Sequence, residues 1–411
     1  MTMVSVRDAA EIIFNLVKPL DNQRDIETVD LLAANGRILA NPVDSPLDFP
    51  HWDNSAMDGY AVRYEDVQNS NAEQPVKLQI IEEIPAGYQP KSTLQPGQAA
   101  RIFTGAVIPN GADTVVMQER TRQEDNRVFI LTTPQPGEFV RRKASYYQAG
   151  TQLLPAGIKL TAAEIAVLAA SQCSQVSVYR RPRVAIFSTG DELVIPDQPL
   201  QPGQIVDSNQ YALAALVRKI GAEPILLGIV KDNPEALEKT ISHAITNADI
   251  VISSGGVSVG DYDYVDKILA SLGATIHIRS VEMRPGKPLT VATFPNVIYF
   301  GLPGNPAAVL VTFWRFVQPV IKKLSGLAEG WEPGFVKMRS HDELRSDGKR
   351  ETYIWGRLHL IDGVYEFRKA GGSHSSGNLI NLAQTNALAM LPVGSTLISA
   401  GEDVLVLQDN F

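Results

Sequence analysis

Apolar and polar positions follow three different rhythms along this chain, and the changes between them mark out its domains. Residues 5–20 read as a helix, with Ser5 as N-cap, Asp8 three residues later and Pro19 as the stop. A second helix is expected from about Glu27 to Ala34, closed by Gly36. From about 45 to 145 the texture becomes short β-like runs broken by Pro and Gly, such as Val76–Ile81, Ala99–Phe103, Asp113–Met117 and Arg127–Leu131. Thr161–Ser171 returns to a helical stripe with Ile165, Leu168 and Ala169.

From about 180 the order is strand, loop, helix, repeated. Strands are predicted at Val184–Phe187, Pro224–Val230, Asp249–Ile252, Leu289–Ala292 and Val297–Phe300. Helices follow from Ser208 to Ile220, from Pro234, from Tyr264 to Leu272 and from Ala307 to Leu324. The Asp249–Ile252 run is apolar without alternation, so both of its faces should be buried. Alternation of this kind specifies a mostly parallel sheet with helices on both faces. After Gly326 the helical signal stops and short alternating strands fill residues 335–411.

The expected fold is therefore multidomain α/β. A helical or linker domain comprises residues 1–45 plus 147–179, and a β-rich domain, 46–146, is inserted into it. The central doubly wound, mostly parallel sheet domain spans 180–326, and a C-terminal β domain spans 327–411. A length of 411 residues suits several domains at about 100–200 residues each.

Composition narrows the partners. The chain is 44% hydrophobic and 20% charged, an ordinary globular balance that rules out collagen-like and low-complexity readings. With a net charge of −8 and no run of like charge longer than three residues, no general nucleic-acid surface is expected. A local anion site stays open, because backbone N–H groups and a few cations capture anions whatever the net charge. Cys173 is the only cysteine, so an intrachain disulfide is impossible and a reducing, cytoplasmic setting is expected. The bland reading of Cys173 is inert filler. Arg7, Asp8 and Glu11 are incompatible with a signal peptide. The apolar stretch Val297–Val317 holds Gly301, Pro303, Gly304, Asn305 and Pro306, so it reads as strand, loop and helix and not as a membrane span.

Ligands of parallel α/β sheets bind beyond the carboxyl ends of the strands, and four loops there are chemically unusual. Ser188–Leu193 places Asp191 and Glu192 at a strand end, where a divalent cation could bridge them to phosphates; an ordinary Gly turn with an acidic cap is the alternative. Asp207-Ser208-Asn209 is either an N-cap box, a set of ligand contacts, or both. Ser253–Asp263 carries Ser254, Gly255, Gly256, Ser258 and Asp263, a donor-rich cradle that matches neither the P-loop nor the dinucleotide fingerprint. Arg284-Pro285-Gly286-Lys287-Pro288 holds two cations on a Pro-stiffened loop, which either clamp an oxyanion or sit on a solvated turn. Pro303-Gly304-Asn305 then leads a strand into a helix N-terminus. Outside this domain, Asp53–Tyr60, Phe103–Ala106 and the basic run Arg141-Arg142-Lys143 stand out.

Five strings taken in order, DNSAMDGY at Asp53–Tyr60, STGDEL at Ser188–Leu193, SSGGVSVG at Ser253–Gly260, PGKP at Pro285–Pro288 and GLPGNP at Gly301–Pro306, resemble the molybdopterin molybdenumtransferase family, the bacterial MoeA proteins and the matching domain of gephyrin. The resemblance implies a transferase that takes adenylylated molybdopterin and molybdate and releases molybdenum cofactor and AMP, with Mg²⁺ assisting. It implies an elongated homodimer whose cleft joins the α/β domain of one subunit to the inserted β domain of the other. Docking to the adenylyltransferase and to recipient molybdoenzymes goes with it. On the family's motifs, the acid of DNSAMDGY falls on Asp58 and the threonine of TGA on Thr104. The GDEL acids fall on Asp191 and Glu192, later aspartates on Asp232 and Asp263, the PGKP lysine on Lys287, and a C-terminal GS serine on Ser373. In this reading Asp58, Thr104, Glu192, Asp263 and Lys287 are catalytic. Asp191, Glu192 and Asp263 hold Mg²⁺, and Asp191, Asp207, Ser208, Asn209, Asp232, Ser254, Gly255, Gly256, Ser258, Arg284, Pro303, Gly304, Asn305 and Ser373 bind substrate.

The chain departs from the family pattern where two acids become Ser145 and Tyr146, where Arg284 opens the PGKP loop, where a frequent serine is Ala308, and where a C-terminal arginine aligns with Trp355. These changes lead to an expectation of slower or altered molybdate insertion. They also keep alive a non-catalytic molybdopterin carrier, which would release no AMP. A pyrophosphatase or deamidase sharing only the α/β domain leaves the DNSAMDGY domain and the C-terminal domain unexplained.

Overall fold

The computed structural model describes residues 3–256, 262–371 and 379–408, the side chains of residues 262–264 excepted. The chain divides into two compact units. One comprises Met1–Asn41, Ala156–Ile165 and Gln175–Phe411; the other comprises Pro42–Pro155 and Ala166–Ser174.

The first unit is built around a six-stranded sheet. Its strands are β1 (Arg183–Thr189), β2 (Glu223–Val230), β3 (Ile250–Ser254), β4 (Thr275–Ser280), β5 (Pro288–Thr293) and β6 (Ile298–Leu302), in the order β2-β1-β3-β6-β5-β4. Only β5 runs against the others, because the short turn joining it to β6 forces an antiparallel hairpin. The expected mostly parallel sheet is present; β4 went unread in the sequence. As expected, β3 is buried along its whole length. Helix α1 (Asn209–Lys219), the helical run from Pro306 to Leu324 and the N-terminal helix Val6–Leu16 contribute to a core on one face of the sheet. Helices α2 (Pro234–Asn247) and α3 (Tyr262–Ser271) contribute to a second core on the other.

The strand order reverses between β1 and β3, since their successors leave toward opposite edges. That reversal opens a crevice beyond their carboxyl ends. The loops after the two strands are in intimate contact there. A Cβ on Gly255, whose φ is +92°, would lie 2.3 Å from the Thr189 carbonyl oxygen.

The C-terminal strands form a closed ring. Glu351–Ile361, Val364–Lys369, Phe335–Ser340, Asp403–Gln408 and Ala387–Leu391 pair in succession, and the last pairs back to the first. Closure removes free sheet edges. The short strand Met283–Arg284 pairs in parallel with Glu351–Thr352, so the cationic loop of the α/β domain is stitched to the barrel wall.

The second unit holds a six-stranded sheet in the order Thr114–Met117, Gly59–Val62, Gln98–Ile102, Val76–Ile84, Arg127–Ile130, Thr121–Glu124, with apolar clusters on both faces. Gly59 has to be glycine, since a Cβ there would lie 2.0 Å from the Val116 carbonyl oxygen.

Two local expectations fail. The segment expected to be helical from Glu27 is instead the strand Ile26–Asp30, paired with Gln175–Tyr179. Its Ile, Thr and Val are β-branched and suit a pleated surface. Asp30 then accepts a hydrogen bond from the Ala33 N–H at 2.9 Å, which turns the chain before a helix can propagate. The second failure is at α1, where Ser208 makes no side-chain cap bond. The Asp207 carboxylate does that work, accepting from the Asn209 and Gln210 N–H groups at 3.1 and 3.3 Å. Ser5 caps its helix as expected, accepting from the Asp8 N–H at 3.1 Å.

Candidate active site

The strand-end crevice of the first unit opens into a cavity of about 1360 Å³. Its floor is backbone: Thr189 after β1, Gly255 and Gly256 after β3, and Pro303, Gly304 and Asn305 after β6. Only small residues let these turns meet. A Cβ on Gly256, whose φ is +64°, would lie 2.7 Å from Thr189 Cγ2, and Gly304 sits in ordinary contact with Gly255. The Asn209 side-chain amide donates at 2.8 Å both to Ser254 Oγ and to the Gly304 carbonyl, tying the two loops together from behind. Ser254, Asn209 and Asp207 therefore hold the floor in shape and are not among the residues that line it.

Glu192 and Asp232 supply carboxylates to the cavity. Asp232 is held from two sides: Thr189 Oγ1 donates to its carboxylate, and its N–H donates to Asp191 Oδ1 at 3.3 Å. Asp191 is thus turned toward the backbone of Asp232, and the acid that lines the cavity beside Glu192 is Asp232. Mg²⁺ takes only one or two carboxylates when substrate phosphates complete its shell, so this pair fits a substrate-bridged Mg²⁺. Among the described residues no three His, Cys, Asp or Glu side chains form a ready-made cage. The Asp263 side chain, Ser258 and Ser373 lie outside the described residues.

The cavity is also lined by cations. Arg284 and Lys287 reach the cavity from the loop stitched to the barrel. Arg284 is paired with Asp347 at 3.1 Å, whereas Lys287 has no ion-pair partner among the described residues. The Lys349 N–H, followed by Arg284 and Arg350, holds the Asp347 carboxyl below its usual range. Arg345, Arg350 and Lys369 of the C-terminal domain line the same space, as do Glu343 and Asp347. Sequence reasoning passed over these residues. The available signal was the Asp347-Gly348 turn followed by Lys349-Arg350. Ala308 and Trp355, the two departures in this region, are 3% exposed and form part of the wall.

Asp58 and Thr104 come together in the second unit. Gly59 pairs with Ile102, which sets the ends of two strands side by side. Asp58 Oδ1 accepts from the Thr104 N–H at 2.7 Å and from Thr104 Oγ1 at 2.8 Å. The basic run nearby is largely neutralised, because Arg142 pairs with Asp53 at 2.7 Å and Lys143 with Asp48 at 3.2 Å. Tyr146 is 60% exposed, with its ring 6.4 Å from that of Phe49, so within its own unit it fills no pocket. Cys173 is half-buried, and burial pushes its thiol up, as inert filler requires.

The Thr104 N–H, then the Thr104 hydroxyl, and more weakly the Arg101 charge hold the Asp58 carboxyl below its ordinary value of 3.8. The sign follows: the pair's contribution is intact above the unfolded-state titration and is lost only as pH falls through the lower folded value. The Asp58 carboxyl carbon, followed by NMR, should therefore titrate below 3.8. In Thr104→Val, which deletes the hydroxyl donor, the midpoint should move upward. An unchanged midpoint would mean the hydroxyl bond contributes nothing.

Fold and site together define a class: multidomain α/β proteins whose strand-end crevice, lined by glycine turns, five cations and four carboxylates, suits an anionic ligand with a bound cation. Comparison with known proteins narrows it. Residues 4–171 match the MoeA N-terminal region (domain I and II), 185–323 the probable molybdopterin binding domain, and 337–408 the MoeA C-terminal region (domain IV). A molybdopterin molybdenumtransferase of Nostoc is 83% identical over 409 residues, covering 99% of this chain and 94% of the relative. One from Haemophilus influenzae is 36% identical, covering 92% and 93%. The crystal structure of a molybdopterin biosynthesis MoeA protein from Pyrococcus horikoshii superposes with a TM-score of 0.84 at 29% identity, covering 99% of this chain and all of that one. This chain belongs to the molybdopterin molybdenumtransferase family, whose members are transferases of molybdenum cofactor biosynthesis. Among the described residues no helix is long and apolar enough to cross a membrane.

Proposed function

We propose that this chain binds adenylylated molybdopterin and molybdate in the strand-end cavity, cleaves the adenylate and releases molybdenum cofactor and AMP. The observation that carries the reading is the meeting, in one cavity, of the glycine turns after β1, β3 and β6, the Glu192 and Asp232 carboxylates and the Arg284 and Lys287 cations.

In the cleavage step a water oxygen forms a new bond to phosphorus as the bridging P–O bond breaks, leaving one phosphate on each product. Negative charge grows on the phosphoryl oxygens and on the departing oxygen, so cations and amides fixed there lower the barrier. Lys287, which has no carboxylate partner among the described residues and lies on the loop beside the substrate cavity, is assigned to that charge. Arg284, oriented by Asp347, holds the phosphates or molybdate in place. The Gly256 N–H supports the same anions, whereas the Gly255 N–H is spent on the Leu302 carbonyl at 3.2 Å. Glu192 and Asp232 would hold Mg²⁺, which when bound neutralises charge on the phosphates; they also accept hydrogen bonds from the attacking water. Asp191 supports Asp232, and Asp263 is assigned with these acids from the sequence.

The proposal includes a homodimer in the cytoplasm, in which Asp58 and Thr104 of one subunit serve the cavity of its mate. Mixing inactive Asp58→Ala protein with inactive Lys287→Met protein under exchanging conditions should then restore AMP release, because each mixed dimer regains one complete site. No restoration would exclude a shared site. The substitutions at Ser145, Tyr146, Ala308 and Trp355 are proposed to slow turnover, to be compared in reconstituted synthesis with a family member that keeps the usual residues. The central test is AMP release on mixing the protein with adenylylated molybdopterin and molybdate. Binding without AMP release would replace the transferase with a carrier.

A further inference from the structure

Asp58 is exposed in the second unit, with Thr104 as its hydrogen-bond partner. A carboxylate brought to the phosphates of a substrate meets like charge and is repelled. Thr104 is neutral and does not offset that repulsion. A fixed cation beside Asp58 would.

Arg101 occupies that position. It lies on the strand Gln98–Ile102, directly opposite Tyr60 and three residues before Thr104. Its guanidinium is fixed by neutral groups. Nη1 donates to the Tyr60 hydroxyl at 3.0 Å and Nη2 to Gln118 Oε1 at 2.7 Å. Its Cζ lies 5.0 Å from the centre of the Tyr60 ring and 5.4 Å from that of Phe103. Tyr60 is a firm support, since its ring belongs to the sheet's apolar cluster and its hydroxyl donates to Gln123 Oε1 at 2.6 Å. The Gln118 N–H donates to the Asp58 carbonyl at 3.1 Å, so Gln118 ties Arg101 to the Asp58 turn. Thr104 ties the same turn to the chain leaving the Arg101 strand. The Arg101 charge reaches Asp58, whose carboxyl it helps to hold low.

Two properties set Arg101 apart from a structural arginine. Arg63, Arg120, Arg122 and Arg142 of the same unit each pair with an acid. Among the described residues Arg101 pairs with none, although Glu83 is its neighbour in register on the strand Val76–Ile84. Its two hydrogen bonds also leave most of the N–H fork uncommitted on a half-buried side chain. A cation held still by neutral partners keeps its charge and loses little freedom on meeting an anion.

We propose that Arg101 is a substrate-binding residue, the cation with which the second unit meets the substrate's phosphates beside Asp58. The inference rests on the shared-site reading above and deepens it: Asp58 reaches the cavity of its mate together with an offsetting charge.

Steady-state AMP release by Arg101→Met protein tests it. The methionine stem still covers the rings, Tyr60 keeps its bond to Gln123, and Gln118 is exposed to water, so melting should be unchanged. KM for adenylylated molybdopterin should rise about ten- to a hundredfold, the usual loss of a hydrogen bond to a charged group, with kcat little altered. Arg101→Lys should recover part of that loss, because charge returns without the fork. The Asp58 carboxyl in Arg101→Met should still titrate below 3.8, since its Thr104 bonds remain. A purely structural arginine would instead lower the melting temperature and kcat together, with no rescue by lysine. An unchanged KM in Arg101→Met would overturn the inference, as would a lysine variant no better than the methionine one. If the mixture of Asp58→Ala and Lys287→Met proteins regains activity while Arg101→Met matches the unaltered protein, this inference alone falls; if the mixture regains none, the shared site falls and takes the inference with it. If the unaltered protein binds without releasing AMP, the dissociation constant of adenylylated molybdopterin carries the same comparison.

Discussion

Gly255→Ala should lower AMP release about a hundredfold while the protein stays folded. At a φ of +92° an L side chain is strained by about 1–3 kcal/mol, and that alone leaves a multidomain core intact. The added methyl has a second effect. It would meet the Thr189 carbonyl oxygen at 2.3 Å, and this obstacle is backbone of β1, not a side chain that can swing away. The two loops of the floor have to part, and Gly304 and the Asn209 strap move with them. Displacing positioned groups by about 1 Å commonly costs about a hundredfold in rate. Gly273→Ala is the control. Its φ is +86°, but no atom lies within 4 Å of the new Cβ, so it carries the backbone strain without the collision. Near-normal turnover of Gly255→Ala, measured beside Gly273→Ala, would mean that the apposition of these loops is irrelevant to the chemistry.

Lys287→Met should remove about a hundred- to a thousandfold of turnover, the usual loss when one fixed group that stabilises developing charge is deleted. Methionine keeps most of the unbranched stem, and the residue is exposed with no ion-pair partner among the described residues, so thermal stability should hardly change. Lys287→Arg should recover part of the rate, because charge returns with a different geometry. Arg284→Met should act differently. Its guanidinium is already committed to Asp347, so its loss should appear mainly in KM. Equal rates for Lys287→Met and the unaltered protein would remove the lysine from the mechanism.

What the sequence disclosed was local. The Ser5 cap, the alternation of strands and helices after 180 and the fully apolar β3 each rest on neighbouring residues, and each is present. The Glu27 segment misled because its partner strand lies about 150 residues away, and pairing there outweighs a weak helical preference. Asp207 and Ser208 show the resolution of such reading. The box was recognisable, but which of the two side chains caps depends on backbone angles that composition does not encode. Within the cavity, Glu192, Gly255, Gly256, Arg284, Lys287, Pro303, Gly304 and Asn305 were legible as strand-end residues, Asp232 came only with the family resemblance, and all of them line one space. Arg345, Arg350 and Lys369 of the C-terminal domain were not legible, since they reach this space through pairings between strands distant in sequence, such as Leu344–Arg345 with Leu397–Ile398.

The two-residue seam between Met283–Arg284 and Glu351–Thr352 bears on how this chain can be dissected. A fragment ending at Gly326 would retain every strand of the α/β sheet and every glycine of the floor. It would nevertheless lose the partner of the cationic loop, the carboxylate that orients Arg284, and the Tyr353, Trp355, Leu388 and Leu407 side chains that complete the adjoining apolar cluster. Such a truncation would carry a raw apolar scar and a half-walled crevice. A minimal ligand-binding piece must therefore extend through the barrel's last strand.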